Sequence, residues 1–231
     1  MIDIVLLTFN RLAFTKQTLE GLYKRVNTPF RLIIVDNVSV DGTKEYLMEL
    51  AKLKGNIKLI LSDKPSTISE AYNEGLKYVE SELFITMQDD VIVPDLEPDI
   101  IQQLIALMEK HPEQGGIACR IQHIPNINWL DKELTPARKA LSAYFRIQRK
   151  SDMIKAGGFG KRHWDDLAFP AAIRSIGKEL SWATNLWRNH LGHCENRGYG
   201  NYKREWSYPF NNESIRSLKY PEIDSKTNKP L

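Results

Sequence analysis

Two hydrophobic patterns alternate along the first half of the chain. Residues 2–8 (IDIVLLT), 31–36 (RLIIVD), 57–62 (IKLILS) and 83–88 (LFITMQ) are short, nearly unbroken apolar runs, the pattern of strands covered on both faces. Between them apolar residues recur at helical spacing: Leu19, Leu22, Tyr23 and Val26; then Tyr46, Leu47, Leu50 and Leu53 within 43–53; then Ala71, Leu76 and Tyr78 within 67–80. NVSVDG, after the second run, is turn chemistry. Strand–helix alternation at this pitch predicts a parallel sheet with helices on both faces.

The second half is less regular. Ile100, Ile101, Leu104, Ile105 and Met108 predict a helix over 97–110, with Asp95 as its expected cap. GIACRIQ (116–122) and SAYFRIQR (142–149) read as strands separated by a long connection, 122–141. A helix over 165–176 ends at Gly177, and ELSWATNLW (179–187) reads as a strand. Residues 188–231 are rich in aromatics, Arg, Asn and Gly, have no clear period, and end in a polar tail.

Parallel sheets of this kind bind ligands beyond the carboxyl ends of their strands. Those ends read Thr8-Phe9-Asn10, Asp36-Asn37, Ser62-Asp63 and Asp89-Asp90. All four are polar and three carry Asp. The last is the most informative: in FITMQDDVIVPD (84–95) two adjacent carboxylates sit between two apolar runs. A buried, unpaired charge costs several kcal/mol, so the pair either faces solvent at a strand end or holds something positive.

Bulk properties narrow the picture only mildly. A length of 231 residues predicts one domain, or one domain with a C-terminal appendage; 42% of residues are hydrophobic, 26% are charged, and the net charge is +3, which neither demands nor excludes an anionic partner. Cys119 and Cys194 make no disulfide framework, so the expected compartment is reducing and cytoplasmic. No signal peptide or transmembrane segment is read from the chain. Peripheral attachment to a membrane and the oligomeric state stay open.

VLLTFNR, LIIVDNVSVDGT and LFITMQDDVIVP, in that order, resemble the family-2 glycosyltransferases, whose nucleotide-sugar-binding fold is termed GT-A. AYNEGL (71–76), KAGGFGKRHWDDLAF (155–169) and LWRNHLGH (186–193) extend the resemblance over residues 2–193. It implies a single GT-A domain: a nucleotide-sugar-binding half (1–95), an acceptor and catalytic half (96–193) and a C-terminal extension (194–231). The implied activity is metal-dependent, inverting transfer of a sugar from a UDP, GDP or dTDP donor to an acceptor hydroxyl, on a glycan or lipid-linked glycan.

Site residues follow from the same resemblance. Thr8, Asn10, Arg11, Asp36, Asn73 and Asp89 would bind the donor, with Thr8 and Asn10 along the nucleotide and Asp36 accepting from the base. Asp90, last in the Asp-x-Asp-like motif, would ligate Mn²⁺ or Mg²⁺, with His190 as a second metal or diphosphate contact. Asp166 would be the catalytic base with Asp165 beside it, because Gly177 then falls at the family's distance downstream. The chain departs from the pattern at Gln88, where the motif's first Asp is usual, and at Asp165, where Glu is usual.

The chemistry suits these residue types. A hard cation held by oxygen ligands stabilises a departing diphosphate, and a positioned carboxylate can take an acceptor proton. By residue type alone, Asp165-Asp166 is equally a helix N-terminus. HLGHC (190–194) is not a standard closed zinc site. The segment ENRGYGNYKREWSYPF (195–210) could stack sugars or bases and meet phosphates, or simply pack on the domain. Two alternatives remain: transfer to a hydroxylated base in DNA, and a non-catalytic nucleotide- or carbohydrate-binding module. A nucleotidyltransferase would need a Gly-rich phosphate loop after the first strand, and TFNRLAFTK has none.

Overall fold

The computed structural model describes residues 1–121, 132–138, 140–160 and 165–190, without the side chains of 121, 165, 166 and 187–190. Three βα steps and a fourth strand come first: β1 (Ile2–Thr8), α1 (Leu12–Arg25), β2 (Phe30–Asp36), α2 (Thr43–Leu53), β3 (Ile57–Leu61), α3 (Ile68–Leu76) and β4 (Leu83–Gln88). There follow β5 (Val91–Ile92), α4 (Ile100–Lys110), β6 (Gln114–Ile121), β7 (Leu134–Pro136), β8 (Phe145–Arg149), α5 (Lys150–Lys155), α6 (Asp165–Ser175) and β9 (Glu179–His190).

The strands form one sheet in the order β3-β2-β1-β4-β8-β6-β9-β5, with β7 beside β9. β1 to β4 run parallel. β8 is antiparallel to both β4 and β6, and β9 is parallel to β6. The sheet is therefore mostly parallel, as the α/β reading expected, with β8 reversed near its middle and the short β5 and β7 antiparallel to β9.

Period-two alternation decides which helix covers which face. Ile4 and Leu6 of β1 and Leu32 and Ile34 of β2 share a core with α1, α2 and α4. Val5, Ile33 and Val35 point the other way, into a core with α3 and α6. At Gly75 a Cβ would lie 2.4 Å from Val5 Cγ1, so only glycine lets α3 settle this closely on β1.

Several expectations need correction. Asp99, not Asp95, caps α4: its carboxylate accepts from Ile101 N and Gln102 N, at 2.9 and 3.1 Å. Leu53 and Tyr78 face solvent. Leu53 ends α2, and α3 stops at Leu76, so Tyr78 lies beyond its helical face. Tyr72, which the helical pattern passed over, is fully buried. The connection over 122–141 contains β7, and β9 runs three residues further than expected, to pair with β5. Among the described residues no helix is long and apolar enough to cross a membrane.

Candidate active site

The sheet register brings the polar strand ends together. Thr8 stands opposite Asp36, and Leu7 opposite Gln88, so β1, β2 and β4 end nearly level. Asp89 and Asp90 follow at once, each only 2% exposed. Arg11, immediately before α1, reaches back to both: its Nη1 lies 3.1 Å from Asp89 Oδ1 and 3.0 Å from Asp90 Oδ2. The carboxylates are buried, and a cation bridges them.

α1 fixes Asp89 independently of that bridge. Thr18 Oγ1 donates to the Asp89 carbonyl at 2.8 Å, and Thr15 Oγ1 to Oδ2 at 3.4 Å. Thr15 in turn lies 3.0 Å from Thr8 Oγ1. Both threonines of α1 are fully buried. Burial pushes the Asp89 carboxyl up to about 6, against the pull of Arg11 and with added repulsion from Asp90.

A second cluster surrounds the end of β2. Asp36 is buried; its Oδ2 accepts from Ser39 N at 3.0 Å, while its Oδ1 has no hydrogen-bond partner among the described residues. Burial raises its pKa, with hydrogen bonds from Ser39 opposing. An unsatisfied buried carboxylate oxygen is costly. The loop beyond it is strained: Val38, a β-branched residue, has φ +67. Three hydrogen bonds hold this loop against β1 and α1: Asn10 N to Ser39 Oγ, Val40 N to Asn10 Oδ1, and Leu12 N to Asp41 Oδ2. Asn10 is thus a stitch between two strand ends, and Asp41 caps α1 from a neighbouring loop.

The third element is the glycine turn at 157–160. Phe159 N donates to Asn73 Oδ1 at 2.8 Å, and Asn73 Nδ2 to Gly160 O at 3.2 Å. Next to Asn73, the Tyr72 hydroxyl lies 3.3 Å from the carbonyls of Met87 and Ala143. α3 therefore ties the turn that precedes α6 to the strand that precedes the acidic pair. On the same side, fully buried Arg146 packs its guanidinium 3.4 Å from the centre of the Phe169 ring of α6.

Asp165 and Asp166 open α6, and the backbone of His190 pairs with Val91, one residue beyond Asp90. The side chains of all three lie outside the described residues. So do the 161–164 segment, the HLGHC side chains and the aromatic-rich segment 195–210. Sequence reasoning missed Thr15, Thr18, Ser39, Asp41, Tyr72 and Arg146. A signal existed for the two threonines, which share a helical face with Leu22.

Could the pair hold a divalent cation? Among the described residues no three His, Cys, Asp or Glu cluster as ligands. Yet one cationic nitrogen already sits within hydrogen-bond reach of one oxygen from each carboxylate. Hard oxygen donors converging on one positive group suit Mg²⁺ or Mn²⁺ with water and phosphate completing the shell. The residues fit such an ion.

Comparison with known proteins follows the same line. The model of the family described as "Glycosyl transferase family 2" matches residues 3–166. Among solved structures, the mannosyltransferase PcManGT from Pyrobaculum calidifontis, in complex with GDP-Man and Mn²⁺, superposes with a TM-score of 0.70 at 17% identity, covering 95% of this chain and 65% of its own. The 1–349 fragment of S. aureus TarS gives 0.66 at 17% identity, covering 84% and 61% respectively. GalNAc-T7 with UDP, GalNAc and Mn²⁺ gives 0.67 at 14% identity, covering 82% and 43%. The chain thus spans less than two thirds of the length of each. With the family model matched over most of its length and the GT-A architecture in place, the chain belongs to glycosyl transferase family 2.

Proposed function

We propose that this chain transfers a sugar from a nucleoside-diphosphate donor to an acceptor hydroxyl on a glycan or lipid-linked glycan, with inversion at the anomeric carbon. The observation that carries the reading is the acidic pair Asp89-Asp90, buried at the carboxyl ends of parallel strands and converging on one cation position. Asp36 supports it, with a buried oxygen available to a base N–H. Two of the similar structures were solved with Mn²⁺, one with GDP-Man and one with UDP, and TarS was solved with UDP-GlcNAc.

Asp89 and Asp90, with His190, would hold Mn²⁺ or Mg²⁺, which when bound would supply positive charge opposite the departing diphosphate. The chain's own residues do the rest. Asp36 accepts from the base and sets the nucleotide's register. Thr8 and Arg11 line the phosphate side. Asp166 takes the acceptor proton, with Asp165 beside it; the acceptor oxygen bonds to the anomeric carbon as the bond from that carbon to the diphosphate oxygen breaks. Attack opposite the leaving group inverts the centre. Asn73 and the glycine turn position the start of α6 for this step.

The test is nucleotide release and sugar transfer with a panel of UDP-, GDP- and dTDP-sugars in Mn²⁺. Asp166→Asn is expected to abolish transfer while donor affinity stays within about twofold, since a general base contributes on the order of 10²–10⁴-fold. Transfer surviving in Asp166→Asn removes the base assignment. Folded wild type that binds and cleaves none of the donors removes the whole reading.

A further inference from the structure

We propose that Arg11 is a resident counter-cation that occupies the divalent-cation position when the metal is away and yields it when metal and donor arrive together. The inference rests on the donor reading above and deepens it. It assigns to one side chain the coupling between metal binding and donor binding.

The geometry carries it. A single guanidinium nitrogen, Arg11 Nη1, bridges Asp89 Oδ1 and Asp90 Oδ2 at 3.1 and 3.0 Å. A divalent ion using the same two oxygens would lie within a few ångströms of that nitrogen, and two cations that close in a desolvated pocket repel strongly. Both cannot hold the pair at once. The carboxylates are nearly inaccessible, with side chains 3% and 2% exposed, whereas the Arg11 side chain is 18% exposed. Arg11 therefore has a way out and the aspartates do not.

Asp89 also has other anchors. Thr18 holds the Asp89 main chain and Thr15 its second carboxylate oxygen, so departure of the guanidinium leaves Asp89 in place. Arg11 lies at the start of α1, and the loop beside it is pinned by Asp41 on Leu12 N. Its backbone stays fixed while its long side chain swings. The natural partner for a displaced guanidinium is an anion on the solvent side of Arg11, where on the donor reading the diphosphate would lie.

Two consequences follow. The protein folds without metal, because the buried pair is never without a cation. Metal alone binds weakly, since it must expel Arg11 into water, and binds more tightly once a diphosphate receives that guanidinium. Metal and nucleotide are then positively coupled, and by linkage the coupling is reciprocal.

The test compares wild type with Arg11→Met by titrating Mn²⁺ alone, followed by electron paramagnetic resonance of free Mn²⁺, and then with saturating UDP or GDP. Arg11→Met is expected to bind Mn²⁺ alone at least about tenfold more tightly and to show a smaller nucleotide-induced gain. Equal or weaker Mn²⁺ binding by folded Arg11→Met overturns the proposal. If that variant does not fold, ¹⁵Nε NMR of wild-type Arg11, assigned by loss of its peak in Arg11→Lys, replaces it. Saturating Mg²⁺ and UDP or GDP must shift that peak, and an unmoved peak overturns the proposal. Should neither protein bind Mn²⁺ while nucleotides still bind in a chelator, the counter-cation role falls and the donor reading stands. Should wild type bind no nucleotide with or without Mn²⁺, both fall.

Discussion

Asn73 of α3 and Phe159 of the glycine turn, 86 residues apart, are joined by a 2.8 Å hydrogen bond from Phe159 N to Asn73 Oδ1. A Cβ at the neighbouring Gly158 would lie 2.4 Å from that same oxygen, and Gly158 has φ +86. The close approach and the backbone conformation both demand glycine here. Because the turn leads into α6, the contact couples the donor half of the sheet to the start of the helix that opens with Asp165 and Asp166.

Asn73→Ala strands the Phe159 N–H and should destabilise the fold by about 1–3 kcal/mol. Gly158→Ala should cost a similar amount through strain. The double variant should lose clearly less than the sum, since both act on one contact. Urea denaturation of the four proteins checks this, and strict additivity would separate the two residues.

Asp36→Asn should trade function for stability. The amide keeps an oxygen for Ser39 N but presents an NH₂ where the free carboxylate oxygen stood. Removing a buried charge should leave the melting temperature equal or higher. Loss of a charge-assisted bond of about 1.5–3 kcal/mol should weaken donor affinity by roughly 10- to 100-fold. Calorimetric titration beside thermal unfolding reads both effects.

The acidic pair predicts a pH dependence in the absence of metal. Burial raises Asp89 to about 6 and also raises Asp36. For Asp89, between about pH 4 and 6 the unfolded chain has ionised this carboxyl while the native state keeps its proton. The native state then binds more protons, and this contribution to stability falls as pH rises through the window. Asp89→Asn should therefore gain stability relative to wild type from pH 4 to 7, measured by urea midpoints in a chelator. Parallel curves would contradict the buried, ionisable state of Asp89.

Asp99 should act in the opposite sense and at lower pH. Its burial alone would raise its pKa, but hydrogen bonds from Gln102 N, Thr28 and Asn27 N outweigh that and lower it. A lowered carboxyl gives stability that is present above its unfolded value and is lost as pH falls through its folded value. One side chain both caps α4 and fastens the α1–β2 loop. Asp99→Ala should cost about 2–4 kcal/mol at neutral pH, by denaturant unfolding, and less as pH falls through the lowered folded value of Asp99.

The parallel half of the fold was legible because buried strands announce themselves as apolar runs, and the acidic pair was legible because it interrupts one. The cap of α4 was misread as Asp95 because several acidic residues precede the helix, and only geometry selects Asp99. Leu53 and Tyr78 fit a helical period but lie at or beyond the helix end, where the period no longer predicts burial. The bridge from Arg11 to Asp89 and Asp90 spans 78 and 79 residues. Nothing local to TFNR signals it. The same holds for Asn10, whose side-chain oxygen accepts from Val40 N, 30 residues away.

The most direct test of the donor site is thermal unfolding of wild type and Asp90→Asn with UDP, GDP and dTDP in turn, each with and without Mn²⁺. A nucleotide at about 100 times its Kd adds about 2.7 kcal/mol, a rise of roughly 5–11 °C for a domain of this size. The account predicts such a rise for wild type with at least one nucleotide, larger in Mn²⁺, with the Mn²⁺-dependent part lost in Asp90→Asn. No rise with any nucleotide on folded wild type, or a Mn²⁺-dependent rise undiminished in Asp90→Asn, would contradict it.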